Sequence, residues 1–205
     1  MCANYGFTLD DYLKIHDLFH FPVERELPAT DIWPNSLAPV LIQNRVKFKN
    51  YRLVPHWARD EKRFSKCYNA RSETLLSKPT WKESAHKRRC VVPLSSFHEP
   101  VRSGPFAHHW ISFGSTEPIF AAGVYDTWIN PDTGEVREGF AIVTKEPSAQ
   151  VEHYGHDRMP VLLGTAELQE WCESEMSPSF LQSMIQKSVS YDFEVKKLRP
   201  LKLKP

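Results

Sequence analysis

Ile119-Phe120-Ala121-Ala122-Gly123-Val124-Tyr125-Asp126-Thr127-Trp128 decides the class of fold. The run is β-like, and turn chemistry follows it in Asn130-Pro131-Asp132-Thr133-Gly134. Shorter runs of the same kind recur at 40–48, 51–55, 90–94, 106–113, 140–144 and 191–195. Together they predict a sheet or barrel. Val101-Arg102-Ser103-Gly104-Pro105 is a second turn segment, as expected between antiparallel hairpins. Thr8-Leu9-Asp10-Asp11 predicts a helix over 8–20, with Leu9, Tyr12, Leu13, His16 and Phe19 at helical spacing. Short helices follow where Ser72 caps a segment ending before Pro79 and where Thr165 caps one through Cys172. Ser177-Pro178 opens another, with Phe180, Leu181, Met184 and Ile185 inward. Residues 21–39 hold Pro22, Pro28, Pro34 and Pro39, too many for a helix, and predict an irregular surface path.

Composition agrees with one domain over residues 1–205. The chain of 205 residues is 41% hydrophobic and 25% charged, ordinary for a globular protein, and no linker divides it. Its 16 Pro against 8 Gly invert the usual balance and argue against a simple helical bundle. No apolar run reaches the roughly 18 residues of a membrane span, and the start lacks a signal peptide's basic and apolar segments, so cytoplasmic residence without disulfides is expected. Cys2, Cys67, Cys90 and Cys172 are too widely spaced for a structural zinc site, and the last three read as small buried hydrophobes. Residues 45–90 carry 14 Lys/Arg against four acids, a net of +10 that leaves the remainder at −9 of a total of +1. Such a stretch is either a face for phosphates or a solvated surface balanced by acids folded against it. Its aromatics, Tyr51, Trp57, Tyr68 and Trp81, tilt the reading toward unpaired bases. The tail, 196–205, is basic and reads as a solubilising terminus.

Four places concentrate reactive groups. Removal of Met1 would leave Cys2 with an α-amine and a thiol on adjacent carbons, both with reactive fractions near neutrality; an aldehyde meeting that pair forms a Schiff base and then a thiazolidine. In Asn69-Ala70-Arg71, an extended chain would point an amide and a guanidinium the same way. Glu99 ends a strand that should be buried, where a carboxyl can shuttle protons. His156, between Gly155 and Asp157, is a positioned acid/base candidate.

In this order the four places resemble the SOS response-associated peptidase family, also described as abasic site processing proteins. The resemblance is carried by Met1-Cys2, Leu37-Ala38-Pro39, Leu53-Val54-Pro55-His56-Trp57-Ala58, Asn69-Ala70-Arg71-Ser72-Glu73-Thr74, Arg89-Cys90-Val91-Val92-Pro93 leading to Phe97-His98-Glu99, Phe120-Ala121-Ala122-Gly123-Val124-Tyr125 and His156-Asp157-Arg158-Met159-Pro160-Val161. It implies a single α+β domain on a barrel-like, mostly antiparallel β core with short peripheral helices. It also implies covalent activity toward abasic sites in single-stranded DNA, acting as a monomer, with no cofactor, metal or membrane. By position Cys2 resembles the family's nucleophile, Asn69 and Glu99 its active-site partners and His156 its catalytic histidine, while Arg71, Arg158 and Trp57 match positions near the DNA strand. The sequence departs from the family pattern where Ala3 and Asn4 replace Gly and Arg, where His98 replaces an aromatic, and where Pro100 replaces Trp. Asn4 thereby stands at a position that meets DNA in relatives. Rival readings of the same residues are a Cys/His/Asn peptidase using Cys2, His156 and Asn69, a metal site from His98, Glu99, His153 and His156 with the His108-His109 pair, and a non-covalent single-strand binder.

Overall fold

Two long strands carry the architecture. In the computed structural model, which describes residues 4–19, 30–43, 45–173 and 176–202, the elements in chain order begin with β1 (Asn4–Gly6), α1 (Leu9–Phe19), β2 (Asp31–Ile32), β3 (Leu37–Ile42) and β4 (Arg45–Asn50). A 3-10 turn (Glu61–Phe64), β5 (Asn69–Arg71), α2 (Ser72–Leu75), α3 (Pro79–Lys87), β6 (Arg89–Val101), β7 (His109–Ile129) and β8 (Val136–Lys145) follow. The chain continues through α4 (Ala149–His153), β9 (Met159–Pro160), β10 (Leu162–Leu163), α5 (Glu167–Cys172), α6 (Pro178–Gln186) and β11 (Glu194–Pro200).

The segments 106–113 and 119–128 fuse into β7 from His109 onward, with 106–108 left in the preceding turn, and 90–94 is the buried half of β6; the two strands pair antiparallel from Arg89↔Val124 to Val101↔His109, with a bulge between Leu94 and Ser96. β7 also pairs with β8, and the ring runs on through β4 and β3 back to β6, closing a mixed barrel with the short helices outside. The α+β barrel expected from the family resemblance is therefore the observed fold. A closed ring needs backbones to approach closely, and Gly139 of β8 shows why a side chain is excluded there: an added Cβ would collide with the Arg52 carbonyl oxygen. Apolar residues alternate inward along the strands and bury rings such as Phe97 on Phe113, stacked at 4.9 Å, and Tyr51 on Phe140 at 5.2 Å.

Local expectations differ from the structure in several places. The segment 40–48 breaks into the β3–β4 hairpin because Gln43 takes a left-handed φ of 49°. Tyr51–Pro55 joins no ladder; Tyr51 and Leu53 donate to Ser36 and Cys67 carbonyls, so apolar character there reports burial under loops. Within 21–39, Pro39 sits inside β3, tolerated because β3 touches β6 at the single pair Leu41↔Val91. The basic tail begins as β11, paired with β7 along Glu194–Lys197. In α6 the inward residues are Leu181, Met184 and Ile185, whereas Phe180 is exposed. Among the described residues no helix is long and apolar enough to cross a membrane.

Candidate active site

Alternation along β6 sends Phe97, Glu99 and Val101 into the barrel and His98 and Pro100 toward the outer face. Glu99 is wholly buried, and its Oε2 lies 3.0 Å from Nε2 of His156. His156 reaches this point from the turn after α4, where Gly155, at φ 82°, passes so close to Ser103 that a Cβ would stand 2.5 Å from its carbonyl oxygen. Nδ1 of His156 lies 2.9 Å from the Arg158 carbonyl oxygen and 3.2 Å from the Arg158 backbone N–H, which fixes the ring against that residue's main chain. That leaves Nε2 to meet the Glu99 carboxyl at hydrogen-bond distance, where one proton can lie between the two. That is an arrangement for giving and taking one proton away from water.

The chain of contacts continues. Arg158 is buried and forks onto Glu73, Nη1 to Oε1 at 2.6 Å and Nη2 to Oε2 at 3.0 Å, and Nη2 also donates to the Thr144 carbonyl at 2.7 Å. The hydrogen bond from Arg158 holds the Glu73 carboxyl below its ordinary pKa. Glu73 is the second residue of α2, which starts directly after β5, and β5 runs parallel to β8 with Asn69 beside Ile142 and Arg71 beside Thr144. Thr144 also pairs with Pro160 of β9. The 69–73 and 156–160 segments are thus laced to the same end of β8. Asn69 is buried there, and Arg71 is exposed and forms no ion pair among the described residues.

Trp57 lies elsewhere. It is 49% exposed, edge-on to Phe64 at 5.6 Å, and its neighbour His56 donates its backbone N–H to Asp126 Oδ2 at 3.0 Å. Asp126 pairs with Gly139, five residues along β8 from Thr144, or about 17 Å at the rise of an extended strand.

Asn4 is also enclosed. Only 1% exposed, it donates from Nδ2 to Asp31 Oδ1 at 2.5 Å and to the Ile32 carbonyl at 3.0 Å, while its Oδ1 accepts from His98 Nδ1 at 2.5 Å. An amide oxygen only accepts, so His98 carries its proton on Nδ1 and takes the Ser96 hydroxyl at Nε2, 2.9 Å away. Burial pushes the His98 pKa down to about 4, which keeps the ring neutral and the clamp on β1 intact. Cys2 and Ala3 lie outside the described residues.

Much of the basic stretch is used internally. Arg89 donates to the carbonyls of Ala85, His86 and Trp171, Lys49 pairs with Glu138 at 2.6 Å, Arg52 with Glu61 at 2.6 Å, and Arg88 with Asp126 at 3.1 Å. Arg59, Lys62, Arg63 and Lys66, in the segment that follows Trp57, remain on the surface. Among the described residues no three His, Cys, Asp or Glu side chains converge as metal ligands; His98 and Glu99 face opposite sides of β6. Glu73 and Thr144 escape a reading of the sequence as site residues. For Glu73 the available signal is its place two residues after Arg71, within the Asn69–Thr74 motif.

Comparison with known proteins gives a consistent answer. Residues 1–201 match the family described as SOS response associated peptidase (SRAP). The chain is 32% identical over 206 residues to the abasic site processing protein YoqW of Bacillus subtilis, covering 95% of this chain and 90% of that one. It is 27% identical to the abasic site processing protein HMCES of Gallus gallus, across 76% of this chain and 56% of the relative. A crystal structure of a protein from Bacteroides thetaiotaomicron superposes with a TM-score of 0.78 at 21% identity, covering 97% of this chain and 92% of that one, and shares the fold.

Proposed function

Because this chain belongs to the SOS response associated peptidase family, we propose that it captures abasic sites in single-stranded DNA as a covalent thiazolidine on Cys2 after loss of Met1. The observation that carries the proposal is the buried Glu99–His156 pair, 3.0 Å apart, beside the strand with which the N-terminus pairs. Asn4 faces His98, the residue before Glu99, and Cys2 is two residues ahead of Asn4, a tether of at most about 7 Å.

An abasic sugar is a hemiacetal in equilibrium with an open aldehyde. His156 and Glu99 move the protons of ring opening. The neutral Cys2 amine adds to the aldehyde carbon, and the resulting hydroxyl leaves as water when the shared proton is delivered to it. The thiol then returns a proton to the same pair, sulfur bonds to the iminium carbon, and the C=N electron pair settles on nitrogen, which keeps its own N–H as the ring closes. Asn69 offers its amide to the sugar oxygen or the amine, Arg71 offers its exposed guanidinium to a phosphate, and Trp57 offers a ring to a base farther along the strand. Asn4 and Arg158 serve by position: one fastens β1, and the other holds the His156 loop to Glu73. On this reading the protein works as a monomer in the cytoplasm, and removal of Met1 is the peptidase step that exposes the amine.

Mixing mature protein with a single-stranded abasic oligonucleotide and running a denaturing gel tests the proposal. A heat-stable adduct without reductant is expected for wild type and none for Cys2→Ser. An adduct that survives acetylation of the N-terminal amine would overturn it, and a thiol peptidase would not depend on that amine.

A further inference from the structure

Trp33, immediately after β2, and Trp110, on β7, come from opposite sides of β1 and β6, yet their rings meet at 5.5 Å and 70°. Ladder pairs fix the face. His98 is opposite Asn4 and Ser112, and Pro100 is opposite Trp110, so Trp110 shares the outer face with His98 and Asn4, two strands and one ladder step from Asn4 toward the start of the chain, about 12 Å away. The Trp33 indole N–H is held by Asp31 Oδ2 at 2.9 Å, the same carboxylate that takes Asn4. Over both rings lies the Arg199 guanidinium, 4.9 Å from one centroid and 5.2 Å from the other. Arg199 is exposed and forms no ion pair among the described residues. It belongs to β11, an edge strand bonded to β7 alone, on which Lys197 is exposed beside Lys196, itself paired with Glu194 at 3.0 Å, with Lys202 just beyond.

Two half-buried indoles, one of them oriented by a hydrogen bond, a cation with no ion pair among the described residues, and further cations along an open strand suit one ligand chemistry: a flat π face joined to a phosphate. We infer that Trp33, Trp110 and Arg199 form a subsite for an intact nucleotide of the single strand next to the abasic one, its base on the indoles and its phosphate on Arg199, with the strand continuing along β11. The inference rests on the reading of Cys2 as the residue that meets the abasic sugar, which places the lesion beside this cluster. On β11 the exposed cations Lys196 and Lys197 stand among Glu194, Leu198 and Pro200, and Lys202 follows, so the strand offers contacts to phosphates but no continuous apolar surface for a peptide or membrane partner.

Fluorescence anisotropy decides the matter with labelled single strands carrying an unreactive tetrahydrofuran abasic analogue. In one strand bases flank the analogue; in the other the flanking positions are also base-free. Trp33→Leu and Arg199→Ala should each bind the first strand roughly ten-fold more weakly than wild type. Trp33→Leu should match wild type on the second. On the unaltered protein, the base-bearing strand should protect Trp33 and Trp110 from N-bromosuccinimide oxidation, read by peptide mass. Wild-type affinity in both variants, or equal oxidation with and without the strand, overturns the subsite. The covalent reaction of wild type with a natural abasic strand is measured alongside. No adduct with intact protection condemns the thiazolidine reading and leaves the subsite standing; an adduct without protection does the reverse.

Discussion

Arg158 and Arg71 stand on adjacent segments and look alike in sequence, yet the structure gives them opposite surroundings, one buried and ion-paired with Glu73 and the other exposed. Replacing Arg158 with Ala removes a two-pronged contact to Glu73 and the donor to the fully buried Thr144 carbonyl. The Glu73 carboxylate is about half exposed and rehydrates, so that part costs only about 1 kcal/mol. The orphaned carbonyl adds roughly 1–3 kcal/mol. A total of about 2–4 kcal/mol corresponds to a fall of roughly 5–15 °C in the unfolding midpoint for a chain of this size. Arg71→Ala removes an exposed side chain and should move the midpoint by less than about 2 °C. Binding of a single strand separates them again. If Arg71 holds a phosphate, its truncation lowers the slope of log K against log salt by about 0.7, whereas Arg158→Ala should leave the slope near the wild-type value. Thermal unfolding followed by circular dichroism, with anisotropy titrations at several salt concentrations, reads both quantities. An Arg158→Ala protein of wild-type stability with a slope reduced by about 0.7 would refute the reasoning and place Arg158 on the DNA.

Asn4→Arg should lower stability by about 2 kcal/mol or more and slow cross-linking at saturating DNA, because the guanidinium cannot accept from His98 and enters a closed site; tighter binding at an unchanged saturated rate would count against this. Glu99→Gln keeps the shape of a buried side chain but removes the shared proton, so the saturated cross-linking rate should fall by about 10²- to 10⁴-fold, and a wild-type rate would remove Glu99 from the proton path. His98 predicts acid sensitivity. Its folded pKa of about 4 lies below the ordinary 6.5, so the unfolded chain binds the extra proton first. Its contribution is complete above about pH 6.5 and is lost as pH falls toward 4, by about 3 kcal/mol over that window. Urea unfolding at pH 7 and pH 4.5 should show this loss reduced in His98→Gln.

The central strands were legible because both faces of Cys90–Leu94 and Ile119–Val124 are buried, which writes the fold into a continuous apolar run. The Glu99–His156 pair was legible as two residues but not as a contact; that depends on Gly155 turning the chain past Ser103. Asn4 was opaque for a physical reason. Its partners Asp31 and His98 stand 27 and 94 residues away, and no local pattern in Ala3-Asn4-Tyr5 reports that an amide there will be enclosed. The β11 strand was hidden differently: an edge strand with a solvated face reads as a run of charges. Charge counting over 45–90 could not tell surface cations from Arg89, which is committed to helix-end carbonyls.

The barrel is joined very unevenly. Long ladders bind β6 to β7 and β7 to β8, whereas the β3–β4 hairpin meets the remainder through Leu41↔Val91 on one side and Asn50↔Gly139 on the other. Native-state amide exchange should therefore divide the molecule into two cooperative units. Amides of β6 and β7 exchange only through global unfolding, while those between β3 and β4 exchange through a lower-energy opening in which the hairpin lifts off as a flap. Tyr51, at the hairpin's base, stacks on Phe140 and touches Tyr5 edge-on at 5.3 Å, so this flap is latched to the strand that leads back to the N-terminus. If Cys2 takes on the covalent load proposed above, it should be felt first as slower exchange in the hairpin, far along the chain from that residue.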